Sequence, residues 1–383
     1  MSSTWPKGFR AYTANIGVKD TTLDFSVVVG DAGTRCSAVF TKSRFAGCSV
    51  LISREHAASG TARGVVTISK NSNVATGPLG EKNARTVLDL VGSKLGVAPT
   101  ELLIGSTGVI GRQYPMERIT GGIDRLDPTA MEASLAQVAK AIMTTDTVHK
   151  TSRRSLGQVV VAGVAKGVGM IEPDMATLLT WIFTDAELAQ DDLDRIFRRV
   201  IDRTFNSLSI DSDTSTSDSA AIFASGAAGP VDLEQFERAL AEVCLDLTKQ
   251  IARDGEGATK LLEVRVDGAR DDALARRVAK SIVNSPLVKT AVHGADPNWG
   301  RIAMAVGKVD DPSIDAERTV IRFGSMEVYP TLLDEGDLAQ LSGIMRRDHV
   351  LVHVSLGDGP GEWTVYGCDL SREYISINAD YTT

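Results

Sequence analysis

The sequence predicts an α+β fold built as a layered sandwich, and three observations carry that prediction. Short apolar runs read as buried strands, helical stripes with a period of about 3.6 lie between them, and 383 residues are more than one core usually holds. Gly64-Val-Val-Thr-Ile68 alternates, whereas 158–164 and 178–183 are continuous enough to be covered on both faces. Val87, Leu88, Val91 and Leu95 share one helix face, as do Leu193, Ile196, Phe197 and Val200. Leu233, Phe236, Leu240, Val243 and Leu247 form a third stripe, with Asp232 at the N-cap and Gly255 and Gly257 beyond its end.

A smaller α+β unit is expected after that helix. Leu262-Glu-Val-Arg-Val266 alternates as a strand, 273–283 reads as a helix, and Thr319 to Tyr329 holds Gly324-Ser325 between two alternating arms, a hairpin signal. The expected division is a sandwich core over 1–220, a helix-strand-helix subdomain over 221–283 and a C-terminal α+β subdomain over 284–383.

Composition excludes several classes of function. A formal net charge of -8 argues against a general nucleic-acid binder, which needs clustered Lys and Arg, and the pairs Arg198-Arg199 and Arg346-Arg347 read as solvated charges. Cys36, Cys48, Cys244 and Cys368 have no metal-site spacing and suit reduced thiols, so neither a disulfide framework nor a metal is expected. The N-terminus lacks an apolar secretory core, and no run approaches the roughly 18 apolar residues of a membrane span. A soluble, cytoplasmic protein without a membrane partner is the expectation.

The chemistry concentrates in Lys166-Gly-Val-Gly-Met-Ile-Glu-Pro-Asp-Met-Ala-Thr-Leu-Leu-Thr180, where Thr177 follows the small Ala176 at the entrance to an apolar run. Cutting the bond between them would give Thr177 a free α-amine beside its hydroxyl, placing nucleophile and general base in one residue. An α-amine titrates near about 8, against about 10.4 for lysine, so about a tenth of it is free base at neutral pH. Without a cut, a Thr opening a strand is ordinary. Gly167, Gly169 and Pro173 shape the approach, and the Ala176 methyl leaves room at the scissile carbonyl.

Ser106-Thr-Gly108 follows the apolar Leu102-Leu-Ile104, where a strand is expected to give way to a turn. The Thr107 hydroxyl and Gly108 N–H are donors suited to an oxyanion, with a plain Ser/Thr-Gly turn as the alternative. His293 and Asp296 lack a serine elbow and read as structural, and Asp211, Asp213 and Asp218 fit a capped turn better than a calcium loop. Gly167 and Gly169 do not form a dinucleotide fingerprint.

The Thr177 segment, together with Ser37-Ala-Val-Phe-Thr41, Asn71-Ser-Asn-Val-Ala-Thr-Gly77, Ser106-Thr-Gly-Val-Ile-Gly111, Met143-Thr-Thr-Asp-Thr147, Asp211-Ser-Asp-Thr-Ser-Thr216, His293-Gly-Ala-Asp-Pro-Asn-Trp-Gly-Arg301 and Asn378-Ala-Asp-Tyr-Thr-Thr383, resembles the ornithine acetyltransferase (glutamate N-acetyltransferase) family along the whole chain. Gly111-Arg-Gln-Tyr-Pro115, Glu172-Pro-Asp174 and Tyr366-Gly-Cys-Asp369 are similar to the paralogue found with clavulanic-acid biosynthesis.

That resemblance implies an αββα sandwich like that of N-terminal-nucleophile hydrolases, self-cleavage between Ala176 and Thr177 into chains 1–176 and 177–383, and an α2β2 assembly. It implies ping-pong acetyl transfer from N2-acetyl-L-ornithine to L-glutamate through acetyl-Thr177, without a cofactor. Thr107 and Gly108 would form the oxyanion hole. Thr144, with Thr145 as the alternative, Lys166, Thr177, Glu256, Asn378 and Thr383 would contact substrate, the tail returning to the site. Glu172, Asp174 and Tyr114 depart from the common family pattern, which leaves a variant substrate in a specialised-metabolite pathway open. Two rivals also stand at this stage: an amidohydrolase or aminopeptidase with water as acceptor, and an uncleaved metabolite-binding protein.

Overall fold

A computed structural model describes residues 5–172, 178–357 and 359–380. Its first part runs β1 (Phe9–Ala14), β2 (Phe25–Gly30), β3 (Arg35–Phe40), α1 (Cys48–Ala57), β4 (Gly64–Asn71), α2 (Gly77–Leu95), β5 (Leu102–Val109), α3 (Met116–Asp124), α4 (Leu135–Ile142), β6 (Lys150–Leu156) and β7 (Val159–Lys166). The next part runs β8 (Leu179–Glu187), α5 (Gln190–Arg203), β9 (Ser219–Pro230) and α6 (Leu233–Arg253). Then follow β10 (Leu261–Ala269), α7 (Asp272–Val283), α8 (Pro286–Gly294), α9 (Gly300–Gly307), β11 (Val320–Phe323), β12 (Met326–Tyr329), α10 (Glu335–Met345), β13 (His349–Ser355), β14 (Gly361–Cys368) and α11 (Arg372–Asp380).

The apolar stripes become the buried faces of α2, α5 and α6, and the Asp232 side chain caps α6 by accepting from Gln235 N at 2.9 Å. The strands form mixed sheets in the orders β1-β2-β4-β5, β3-β9-β8-β7-β6 and β12-β11-β13-β10-β14. The first two meet face to face. Val28, Val65 and Leu103 of one pack with Val164, Trp181, Phe183 and Phe223 of the other, and α4 inserts Leu135, Val138 and Ile142 into the same core. Trp181 Nε1 donates to Thr67 Oγ1 at 3.0 Å, crossing from sheet to sheet.

Strand periodicity explains the outer layers. Alternate residues point to opposite faces, so Trp181 and Phe183 enter the inter-sheet core while Ile182 faces α5 and α6. On the far side of the first sheet, Val66 and Ile68 pack against α2 and α3. The third sheet carries α7, α8, α9 and α10 around its own core, which includes Val264, Val352 and Val365.

Sheet pairing, rather than composition, sets the grouping of these parts. Residue 220 falls inside β9, α6 lies against β6 and β7, and β10 sits between β13 and β14, so the breaks expected at 220 and 283 divide paired structure. Hydrogen bonds between strands some 90 residues apart have no signature in local sequence. Among the described residues, no helix is long and apolar enough to cross a membrane.

Candidate active site

β5 positions the expected oxyanion donors. The strand does not give way to a turn after Ile104 but continues through Thr107 and Gly108 to Val109, with a register shift opposite Lys70 and Asn71. A shift of this kind bends the strand and re-aims its groups. Gly108 has φ 129°, and a Cβ there would lie 2.2 Å from the Lys70 carbonyl carbon, so the position admits no side chain. Lys166, at the end of β7, donates from Nζ to Thr107 Oγ1 at 3.1 Å.

Three more segments converge on Lys166. Glu256 lies just beyond α6, its N–H donating to Val168 O at 2.8 Å. Its Oε1 accepts from the Thr145 hydroxyl at 3.2 Å and its Oε2 from Asn378 Nδ2 at 2.9 Å. A Cβ on Gly169 would lie 2.6 Å from Glu256 Oε2, so the carboxylate approaches bare backbone. α11 thus brings Asn378 to Glu256. Thr144 donates its N–H to Asp146 Oδ2 at 2.9 Å and lines an open cavity of about 940 Å³ shared with Thr145 and Gly108. Ala176, Thr177, Asp174 and Thr383 lie outside the described residues.

A buried charge network holds these segments in register. Lys150 is fully buried and donates to Asp146 Oδ1 at 2.8 Å and Asp254 Oδ2 at 2.5 Å. Asp146 also accepts from Gly167 N at 2.8 Å, and Asp254 holds both the Thr147 N–H and hydroxyl. Burial pushes the Asp146 pKa up, but the charges of Lys166 and Lys150, with hydrogen bonds from Lys150 and the Thr144 N–H, outweigh it and bring it down to about 2. Burial lowers the Lys166 pKa against the pull of Asp146, leaving its ammonium less firmly charged than a surface lysine.

Asp218 immediately precedes β9. It lines a small pocket with Thr107, Lys166, Gly167 and Leu178, and its Oδ2 has no hydrogen-bond partner among the described residues. Burial raises its pKa well above the usual carboxylate range, against the opposing hydroxyl of Ser215, the Lys166 ammonium and the hydroxyl of Thr41. The arrangement offers a donor pair on β5, a lysine and a buried carboxyl of raised pKa beside it, and the Glu256 carboxylate.

Tyr114 and Glu172 are both held by side-chain hydrogen bonds. Tyr114 is buried, with its hydroxyl bonded to Ser106 Oγ, one residue before Thr107, and to Ser49 Oγ at 3.3 Å. Glu172 is bound by Ser209 at 3.0 Å, Lys280 at 3.1 Å and Asn284, tying the segment before Pro173 to α7. Asp211 accepts from the Met170 and Ile171 N–H groups at 2.6 and 2.7 Å, a capped turn, and His293 Nδ1 meets Asp369 Oδ2 at 2.7 Å, linking α8 to the end of β14.

Residues 10–383 match the model of the ArgJ family. The chain belongs to that family. It is 55% identical to glutamate N-acetyltransferase Oat2 of Streptomyces clavuligerus, over 99% of this chain and 98% of that one. It is 51% identical to the arginine biosynthesis bifunctional protein ArgJ of Rhodococcoides fascians, over 100% of this chain and 96% of that one. The crystal structure of the bifunctional protein ArgJ from Bacillus halodurans, 40% identical, covers 51% of this chain and 96% of its own with a TM-score of 0.48.

Reading by motif misses Lys150 and Asp254 and takes Asp218 only as part of a capped turn. Lys150 and Asp254 are ordinary charged residues until folding buries them against each other. One local signal existed: Lys150 follows Asp146 by four residues in a stretch otherwise rich in Thr.

Proposed function

We propose that this chain, a glutamate N-acetyltransferase of the ArgJ family, cuts itself between Ala176 and Thr177 and then carries acetyl groups on Thr177. The Thr177 α-amine takes the hydroxyl proton as Oγ attacks the acetyl carbon of N2-acetyl-L-ornithine. The developing oxyanion is held by the Thr107 hydroxyl and Gly108 N–H, and the α-amine returns its proton to the departing ornithine nitrogen. L-Glutamate then attacks the acetyl ester by the reverse sequence. One amide replaces another, so the exchange is nearly isoenergetic and no cofactor is invoked.

One observation carries this reading: Thr107, Lys166, Thr145, Glu256 and Asn378, distant in sequence, come together around one site through Lys166–Thr107, Thr145–Glu256 and Glu256–Asn378 hydrogen bonds. Their charges suit an amino acid, with Lys166 for the α-carboxylate and Glu256 for the ornithine side-chain ammonium. The two pieces would remain joined, because β9 and β8 from residues after the cut lie between β3 and β7 from before it. Separating them would expose the shared core at about 25 cal/mol per Å². We take the outer helices and the two facing sheets as the αββα frame of self-cleaving hydrolases, and two cleaved pairs as the cytoplasmic α2β2 assembly.

The test is intact mass under denaturing conditions, followed by acetyl transfer assays. Wild type is expected as two pieces meeting at 176/177 and Thr177→Ala as one, with acetyl release from N2-acetyl-L-ornithine depending on glutamate. An uncut, fully active wild type overturns the proposal, as does equal acetate release without glutamate.

A further inference from the structure

Taking that reaction as its basis, a second requirement follows from chemistry. One site must accept ornithine, whose side chain ends in a cation, and then glutamate, whose side chain ends in an anion. Glu256 can pair only with the first. The second needs a cation within reach of the same oxyanion donors, and a carboxylate entering beside Glu256 would meet repulsion.

The cavity of about 940 Å³ that contains Gly108, Thr144 and Thr145 also contains Lys19 and Lys70. Lys19 Nζ donates to Leu23 O at 2.9 Å and Met143 O at 2.7 Å, so among the described residues two of its three N–H bonds are occupied. These two carbonyls fix the ammonium in the wall, and the third N–H is left for the cavity. Met143 immediately precedes Thr144 and Thr145, and the Thr145 hydroxyl reaches Glu256. A cation and an anion are therefore hydrogen-bonded to the two ends of one three-residue segment, 143–145. Lys70 adds a second positive charge; its partner Asp20 is at 3.5 Å and almost fully exposed, a pairing worth little in water.

We propose that Lys19 is the specificity-determining cation for the acceptor, binding the side-chain carboxylate of glutamate at the Met143 end of the segment while Glu256 serves the amine-bearing donor at the other. Lys70 reinforces the charge from the outer part of the cavity. Desolvation brings the Lys19 pKa down to about 8, with Asp24 and Asp146 raising it and Lys166 and Lys70 lowering it, a value that leaves most of the amine as ammonium at neutral pH.

The experiment compares glutamate with glutamine, which has the same shape and no charge, as acetyl acceptor from N2-acetyl-L-ornithine. The ratio of the two kcat/KM values is measured within each preparation, which makes it independent of the folded or cleaved fraction. In Lys19→Gln the ratio is expected to fall about 10- to 100-fold, the range for one charge-assisted hydrogen bond. Lys19→Arg should retain most of it, and Lys70→Gln should lower it about threefold, as befits a partly exposed charge. An unchanged ratio in Lys19→Gln overturns the inference, whatever Lys70→Gln does. A wild type with no glutamate-dependent transfer overturns the reaction beneath it instead.

Discussion

The Lys166 ammonium on β7 donates to the Thr107 hydroxyl oxygen on β5 at 3.1 Å, joining the two facing sheets at the proposed reaction centre. A hydroxyl that accepts from a cation keeps its own hydrogen free and becomes a better donor through it. This bond therefore aims Thr107 as well as holding it.

Thr107→Val keeps the shape and removes that donor. Turnover per cleaved molecule is expected to fall about 10²- to 10³-fold, with thermal stability changed little, whereas Thr107→Ser should keep most of the rate. Steady-state kinetics beside thermal melting check both halves. A Val variant with normal turnover would remove Thr107 from the oxyanion hole.

Lys150 neutralises two buried carboxylates, so Lys150→Met should leave Asp146 and Asp254 without their shared cation. The expected cost is about 3–5 kcal/mol of folding stability, far above that of an exposed ion pair. Denaturant titration measures it. Combining it with Asp254→Asn should recover part of the loss, because one stranded charge is gone.

Acid should weaken the same network through Asp146. Its pKa is about 2 in the folded protein against 3.8 for the free group, so the native state binds fewer protons in that window. The contribution is fully present above about pH 4 and is lost as the pH falls through about 2, with a size on the order of 2 kcal/mol. Comparing denaturant midpoints of wild type and Asp146→Asn between pH 6 and 2.5 isolates the term. Parallel curves would refute it.

Asp218 is expected to trade stability for chemistry. Its raised pKa means that folding buries a carboxyl that the unfolded chain would ionise at neutral pH, so stability falls as the pH rises above 3.8 toward the folded value. Asp218→Asn should thus gain about 1 kcal/mol at pH 7 while losing activity or self-cleavage about 100-fold, the scale of a positioned acid or base. A variant that is stabilised and fully active would leave the carboxyl without a chemical role.

Much of the architecture could be read directly from the chain. The stripes at Leu193, Ile196, Phe197 and Val200 and at Phe236, Leu240, Val243 and Leu247 face the core, because helical periodicity is a local property that burial simply selects. The same applies to the hairpin at Gly324 and to the cap at Asp232. The run of β5 through Thr107 and Gly108 was less legible: a Ser-Thr-Gly triplet reads as a turn, and only pairing with Lys70 and Asn71 keeps it in the sheet.

Within the site, the motifs specified which side chains were available: a lysine, a glutamate, threonines and a paired donor in Thr107-Gly108. What they could not specify was proximity. Lys150 meets Asp254 across 104 residues, Asn378 meets Glu256 across 122, and Lys19 meets Met143 across 124. Those pairs exist because two sheets stack and a terminal helix folds back. Their charges take on their strength only once water is excluded, a condition that belongs to the packed chain as a whole and to no stretch of it.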